Sequence, residues 1–343
     1  MSGDRLAAGA GPGGGTRDLS AQLRLWWMGA RPRTLGVGAV PVLIGAAASG
    51  RPRVLPTLAA LLVAVGLQVG ANYANDYFDG TRGVDTAERV GPPRLTAGGL
   101  VPARSVLLAA AVCLVVAAGV GAWLALAHGL GWLVLAGAAA LAAALLYTGG
   151  PHPYAATGLL ADLAVFVFFG LMATVGTAAV QGAGVPRGAW WAGASIGLLA
   201  VAVLVANNLR DLTSDAAAGR RTLVVRLGDG RARALYAGLV LGGAAIVPGV
   251  GVALRQLPPE ALLVLCAVPA LVAALRLAGD RRRSRRDLVP LLLDTTRLHL
   301  AAGAMLVLGF LTGMSSEGVP AWLGVVIGLA LAAGLAAADL LPA

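Results

Sequence analysis

Lysine is absent from the 343 residues, and all 26 basic side chains are arginine. This one-sided usage reads as the codon-bias trace of a GC-rich bacterial genome. Cysteine occurs only as Cys113 and Cys266, in different apolar runs, so there is no CxxC pair and no disulfide framework. Both read as small buried hydrophobes. The three histidines, His128, His152 and His299, are scattered and leave no histidine-based metal site. Charged residues make up 12% of the chain against 58% hydrophobic. That balance, with a mean hydropathy of +0.81, excludes an attached soluble domain and places the chain among polytopic membrane proteins. Residues 1–24 hold Gly and Pro but no apolar core. They read as a disordered tail that lacks the hydrophobic region of a signal peptide.

Long apolar runs are what the chain has in abundance. A spanning helix needs about 20 mostly apolar residues. Ten stretches approach that length, at roughly 34–50, 54–75, 104–127, 129–147, 158–180, 189–209, 232–254, 259–278, 288–313 and 319–338. They are continuously apolar and rich in Ala and Leu, which excludes a closed barrel. The expectation is an all-α membrane domain over 25–313 with an extra C-terminal helix at 319–338. Arginine is distributed unevenly about these runs. Twenty lie before the first run or in the loops after the second, fourth, sixth and eighth; only Arg51, Arg53, Arg187 and Arg255 lie in the opposite loops. The positive-inside rule then puts the N-terminus and the polar motifs in the cytoplasm. The charge of +10 is a topology signal, and nucleic-acid binding is not read from it.

Two polar clusters interrupt this background about 135 residues apart, each at the end of an apolar run. The first is Asn72-Tyr-Ala-Asn75-Asp76-Tyr-Phe-Asp79; the second is Asn207-Asn208-Leu-Arg210-Asp211-Leu-Thr-Ser-Asp215. Carboxylates at the edge of a bilayer cost free energy unless paired, so they are functional candidates. Continued as helix, Asn72, Asn75, Asp76 and Asp79 fall on one face, and Asn208, Asp211 and Asp215 on another. Two acidic faces turned to one cavity can hold hard cations, and Mg²⁺ commonly bridges carboxylates to substrate phosphates. Arg82, Arg94, Arg210, Arg220 and Arg221 lie nearby, and arginine suits phosphate through its forked donors. Metal, diphosphate and surrounding apolar helices together describe a lipid-like diphosphate substrate at a membrane surface. A role as helix-end caps or loop ion pairs is the plain alternative for each Asp taken singly.

These residues resemble the two aspartate-rich motifs of the UbiA-type intramembrane prenyltransferases. Within that superfamily the chain is most similar to the branch that prenylates 1,4-dihydroxy-2-naphthoate in menaquinone biosynthesis. The resemblance to the branch rests on Arg31-Pro-Arg33-Thr-Leu35, Gly83-Val-Asp85, Arg89-Val-Gly91-Pro92-Pro-Arg94, Tyr147-Thr-Gly149-Gly150-Pro151, Phe166-Val-Phe168-Phe169-Gly170 and Gly219-Arg220-Arg221-Thr222. It implies nine helices around a central cavity with a cytoplasmic mouth. It implies Asn75, Asp79, Asp211 and Asp215 as leading Mg²⁺ ligands, with Asn72, Asp76 and Asn208 in support and Arg94 and Arg221 on the diphosphate. Gly83 stands where the superfamily often has a third Asp, and Asp162 where the branch usually has Glu. Asp162 is then a candidate for the aromatic acceptor or for proton relay, and Arg31 and Arg33 for the acceptor carboxylate. Tyr73, Tyr77, Phe78, Tyr147, Tyr154, Phe168 and Phe169 are candidates to line a cavity that shelters an allylic carbocation.

The implied reaction is transfer of a polyprenyl group from its diphosphate to 1,4-dihydroxy-2-naphthoate in the bacterial cell membrane. Two rivals remain at this stage. One is the same chemistry with 4-hydroxybenzoate, haem or a phosphoribosyl sugar as acceptor. The other is a cation-coupled transporter, which would place its carboxylates near the bilayer midplane.

Overall fold

The computed structural model describes residues 19–83, 94–151, 153–253 and 288–312. Among them are nine helices: α1 (Leu19–Ala30), α2 (Pro32–Ala48), α3 (Val54–Thr81), α4 (Ala103–Ala127), α5 (Gly131–Leu146), α6 (Leu159–Val180), α7 (Arg187–Ala217), α8 (Leu223–Ala253) and α9 (Val289–Thr312). Five of these, Val54–Thr81, Ala103–Ala127, Leu159–Val180, Arg187–Ala217 and Pro290–Leu311 within α9, are long and apolar enough to cross a membrane. Helices α2 and α5 are shorter and also apolar. The apolar runs expected at 259–278 and 319–338 lie outside the described residues, as does the tail before residue 19.

Three differences from the expected boundaries matter. Residues 19–24, expected in a disordered tail, are the first turns of α1. That helix is amphipathic, with Leu19, Leu23 and Trp27 exposed along one stripe, so it has no continuous apolar run to announce it. Helices α3 and α7 run on to Thr81 and Ala217, so both polar motifs are helical throughout. Gly83, at φ 68°, follows the end of α3. The residue that replaces the third Asp is therefore a left-handed helix stop. Helix α8 starts at Leu223, earlier than the expected 232, and is broken at Gly228.

The bundle is held by α3 against α4, α7 against α8, and α9 against α2 and α7. Its main core joins Ile44, Ile196, Leu199, Tyr236, Leu298 and Phe310. A second core gathers Ala30, Tyr73, Leu95 and Val106 beneath α1. Helix α5 buries none of its residues. Helix α6 passes through a π-helical stretch, Phe166–Met172, a widened turn common at functional sites. Close approach of α6 and α7 depends on glycine. A Cβ added to Gly170 would lie 2.5 Å from Gly197 Cα and 2.7 Å from the Gly193 carbonyl oxygen. In lipid, such small residues let helix backbones touch.

Gly170→Ala should therefore destabilise the protein by about 1–3 kcal/mol through overpacking. Gly119→Ala, where an added Cβ meets nothing within 4 Å, should stay within about 0.5 kcal/mol of the parent. Thermal midpoints in detergent check the contrast; equal shifts would refute the backbone contact.

Candidate active site

The two polar motifs, far apart in sequence, meet at one end of the bundle. Arg220, in the turn after α7, reaches Asp79 of α3 and Asp215 of α7 at 3.5 Å each. Arg94 approaches the same Asp79 carboxylate at 3.7 Å. Asp79 and Asp215 are 5% and 8% exposed, and buried carboxylates of this kind require a cation. Burial alone would lower the Arg220 pKa, but Asp79 and Asp215 overcome it and raise the value, which keeps the guanidinium charged. One positive centre shared by two carboxylates is also the arrangement in which a hard divalent ion would bind. Among the described residues no three His, Cys, Asp or Glu side chains already form a metal cage; arginines hold the carboxylates instead.

Arg210 is buried and grips its neighbour Asp211 with two hydrogen bonds, 2.8 Å from Nε and 2.7 Å from Nη2. Its Nη2 also donates to Asn207 Oδ1 at 2.9 Å. The Arg210 side chain thus serves Asp211 directly. Asn208 is half-buried on the same helix. Arg221 is exposed, and its backbone N–H donates to the Ala156 carbonyl at 3.0 Å.

The first motif divides its labour. Asp76 accepts the backbone N–H groups of Leu95 and Thr96 at 3.0 and 2.8 Å. It thereby ties down the turn that carries Arg94. Asn75 accepts the Thr148 hydroxyl at 2.6 Å, and Arg82 donates to the carbonyls of Thr148 and Gly150. These bonds fasten the loop bearing Tyr147 to the end of α3. Asn72 donates to the Ala30 carbonyl at 2.9 Å.

Beneath this pole lies a cavity of about 1210 Å³. Its polar end is lined by Arg31, Arg33, Gln68, Asn72, Asn75, Asp76, Arg94, Tyr147 and Arg210. Its long apolar part is lined by Ala and Gly of α4 and α5 with Phe168, Phe169 and Met172 of α6, down to Val42, Leu133 and Val180. Tyr147 lies within electrostatic reach of Arg220, Asp162, Arg31 and Asp79, where the two regions join. Tyr154 lines the wall beside it, edge to face at 5.4 Å, its hydroxyl bound to the Ala143 carbonyl. Of the expected aromatic lining, Tyr73, Tyr77 and Phe78 stand outside the cavity wall. Tyr73 packs on Trp26, and Tyr77 packs on Phe78.

Asp162 is 4% exposed, flanked by the cavity-lining Ala161 and Ala164. Neither of its carboxylate oxygens meets a donor from another described residue. Asp85 and Arg89 lie outside the described residues. Sequence reasoning missed Gln68 and Thr148. Gln68 had a readable signal: a lone polar residue one turn before Asn72 on the same face of α3.

The geometry joins a charged pole of paired aspartates and arginines to an apolar chamber, and comparison with known proteins agrees. Residues 38–293 match the family described as UbiA prenyltransferase. A 1,4-dihydroxy-2-naphthoate octaprenyltransferase of Mycobacterium tuberculosis is 44% identical over 284 residues, 80% of this chain and 92% of that protein. The Escherichia coli protein of the same name is 35% identical over 236 residues, 66% and 76% of the two chains. The fold is similar to that of a UbiA homolog from Archaeoglobus fulgidus bound to DMAPP and Mg²⁺, with a TM-score of 0.61 and 16% identity, over 82% of this chain and 99% of that one. Two aspartate motifs joined by Arg220 over one apolar cavity, carried on a sequence so matched, make this chain a member of the UbiA prenyltransferase family.

Proposed function

We propose that this protein transfers a polyprenyl group from polyprenyl diphosphate to 1,4-dihydroxy-2-naphthoate, with loss of CO₂, at the cytoplasmic face of a bacterial cell membrane. The observation that carries the reading is the Arg220 bridge between Asp79 and Asp215 at the same end of the bundle as the cavity's polar lining, Asn75, Asp76, Arg94 and Arg210, with an apolar chamber beyond. The named relatives support the naphthoate acceptor. The shared location of both motifs at one end of the bundle favours the enzyme over a transporter with midplane carboxylates.

Asn75, Asp79, Asp211 and Asp215 would hold Mg²⁺, with Asp76 and Asn208 adjacent. Bound Mg²⁺ would supply charge neutralisation for the leaving diphosphate. Arg94, Arg220 and Arg221 bind the diphosphate oxygens. The allylic C–O bond breaks, and its electron pair leaves with the diphosphate. Phe168, Phe169, Tyr147 and Tyr154 shelter the resulting allylic cation from water. The ring carbon bearing the carboxylate attacks, forming the new C–C bond. Cleavage of the ring–carboxylate bond releases CO₂ and returns its electron pair to the ring. Later oxidation of the hydroquinone gives demethylmenaquinone. Arg31 and Arg33 hold the acceptor carboxylate, and Asp162 accepts a hydroxyl proton from the acceptor as the ring attacks and returns it to that oxygen once CO₂ has left. Purified protein given one polyprenyl diphosphate and a panel of aromatic acceptors, with products identified by mass, tests the reading. A product only with another acceptor, or none, would overturn it.

Asp79→Ala or Asp211→Ala should lower Mg²⁺-dependent diphosphate release by at least roughly 100-fold, ~2.7 kcal/mol of barrier. Near-normal turnover in either folded variant would remove the two-motif metal site. Arg33→Ala should raise KM for the naphthoate about 10- to 100-fold, the ~1.5–3 kcal/mol of a charged hydrogen bond, and leave KM for the diphosphate unchanged. Asp162→Asn should lower kcat roughly 100-fold, whereas Asp162→Glu retains activity. Kinetics with each substrate varied in turn decide both; equal effects on the two substrates would leave these residues structural. Single cysteines at Ser105 and Thr213 in a cysteine-free background should label only from the cytoplasm. Labelling from outside would reverse the orientation.

A further inference from the structure

Helices α1 and α2 are separated by one residue, Arg31, at φ 57° and ψ 61°. It is the one non-glycine residue with positive φ among the described residues. The left-handed region brings Cβ against the following carbonyl, and the residue before a proline is further restricted. Glycine would relieve the strain. The chain instead keeps an arginine that lines the polar end of the cavity. Outliers of this kind persist only when their surroundings over-determine them.

The surroundings here are three side chains of α3. Gln68 Nε2 donates to the Thr34 carbonyl at 2.8 Å. Asn72 Nδ2 donates to the Ala30 carbonyl at 2.9 Å. Tyr73 Oη donates to the Trp26 carbonyl at 2.8 Å. The three acceptors are spaced four residues apart, so α3 laces the bend on both sides. Ala30 is the decisive one. A continuous helix would give its carbonyl the N–H of Thr34, but that N–H donates to the Arg31 carbonyl at 3.1 Å. The left-handed residue thus orphans a buried carbonyl, and Asn72 supplies the missing donor. The orientation of the Gln68 amide follows from chemistry, since only its NH₂ can donate to a carbonyl.

We propose that Asn72 and Gln68 are positioning residues that lock the Arg31 bend and so aim its guanidinium at the acceptor end of the cavity. The proposal rests on the reading of Arg31 as a contact for the acceptor carboxylate. It gives Asn72 a role in place of the metal-supporting one its motif implies.

The test is a double-mutant cycle in the full-length protein, with 1,4-dihydroxy-2-naphthoate and a polyprenyl diphosphate varied separately. Arg31→Gly should raise KM for the naphthoate roughly tenfold. Asn72→Ala and Gln68→Ala should each raise it several-fold, with KM for the diphosphate within about twofold of the parent. In the Arg31→Gly background neither should cost anything further, because residues acting through one group are not additive. Gln68→Ala carries the test if Asn72→Ala does not fold. Parental naphthoate KM in both Asn72→Ala and Gln68→Ala, equal losses for both substrates, or losses that multiply with Arg31→Gly would overturn the positioning role alone. Parental naphthoate KM in Arg31→Gly would overturn the acceptor reading of Arg31 and the proposal with it.

Discussion

Arg220 stands between Asp79 and Asp215, and the architecture of the charged end depends on that bridge. Carboxylates drawn under the surface of a membrane domain must meet positive charge. The chain meets the need by bringing the ends of α3 and α7 to one arginine. Arg94 adds a second approach to Asp79, and Asp76 fixes the turn from which Arg94 reaches. Arg210 performs the same service for Asp211 within its own helix. Each acidic side chain in the pole is therefore held in place by a partner, and α3 and α7 are positioned by that pairing as much as by apolar packing.

Much of this was legible in the residues. Apolar runs located the spans, because a helix in lipid must carry a nearly unbroken apolar surface. The two clusters were conspicuous because polar groups are costly there. Helical spacing correctly placed Asp79 and Asp215 on motif faces. It could not separate Asp76 from Asp79. The two lie on the same broad face, and only the return of the chain at Leu95 and Thr96 gives Asp76 its different partners. Helix α1 was hidden because an amphipathic helix mixes polar and apolar positions, as Leu19 and Leu23 do among Ser20, Gln22 and Arg24. Gln68 and Thr148 were passed over because a single amide or hydroxyl acquires meaning only from what it touches, here the carbonyl of Thr34 and the side chain of Asn75.

The polar and apolar parts of the cavity have different physical origins. The polar end is over-determined by hydrogen bonds from α3 to the α1–α2 bend and to the loop at Thr148. The apolar end is space left by small side chains. Glycines such as Gly170 and Gly197 bring α6 and α7 together behind it, while Ala and Gly along α4 and α5 line the opposite wall. Rigid positioning is thus concentrated where charge must be placed, and shape alone governs the remainder.

Helix α5 lines the cavity yet buries none of its residues. A single helix therefore separates the chamber from the surrounding lipid. For a reactant with a long apolar chain, the relevant reservoir is the bilayer itself. Its thermodynamic activity is set by mole fraction among lipids, so occupancy of the chamber follows surface dilution: adding lipid at constant total reactant lowers occupancy, whereas adding water leaves it unchanged.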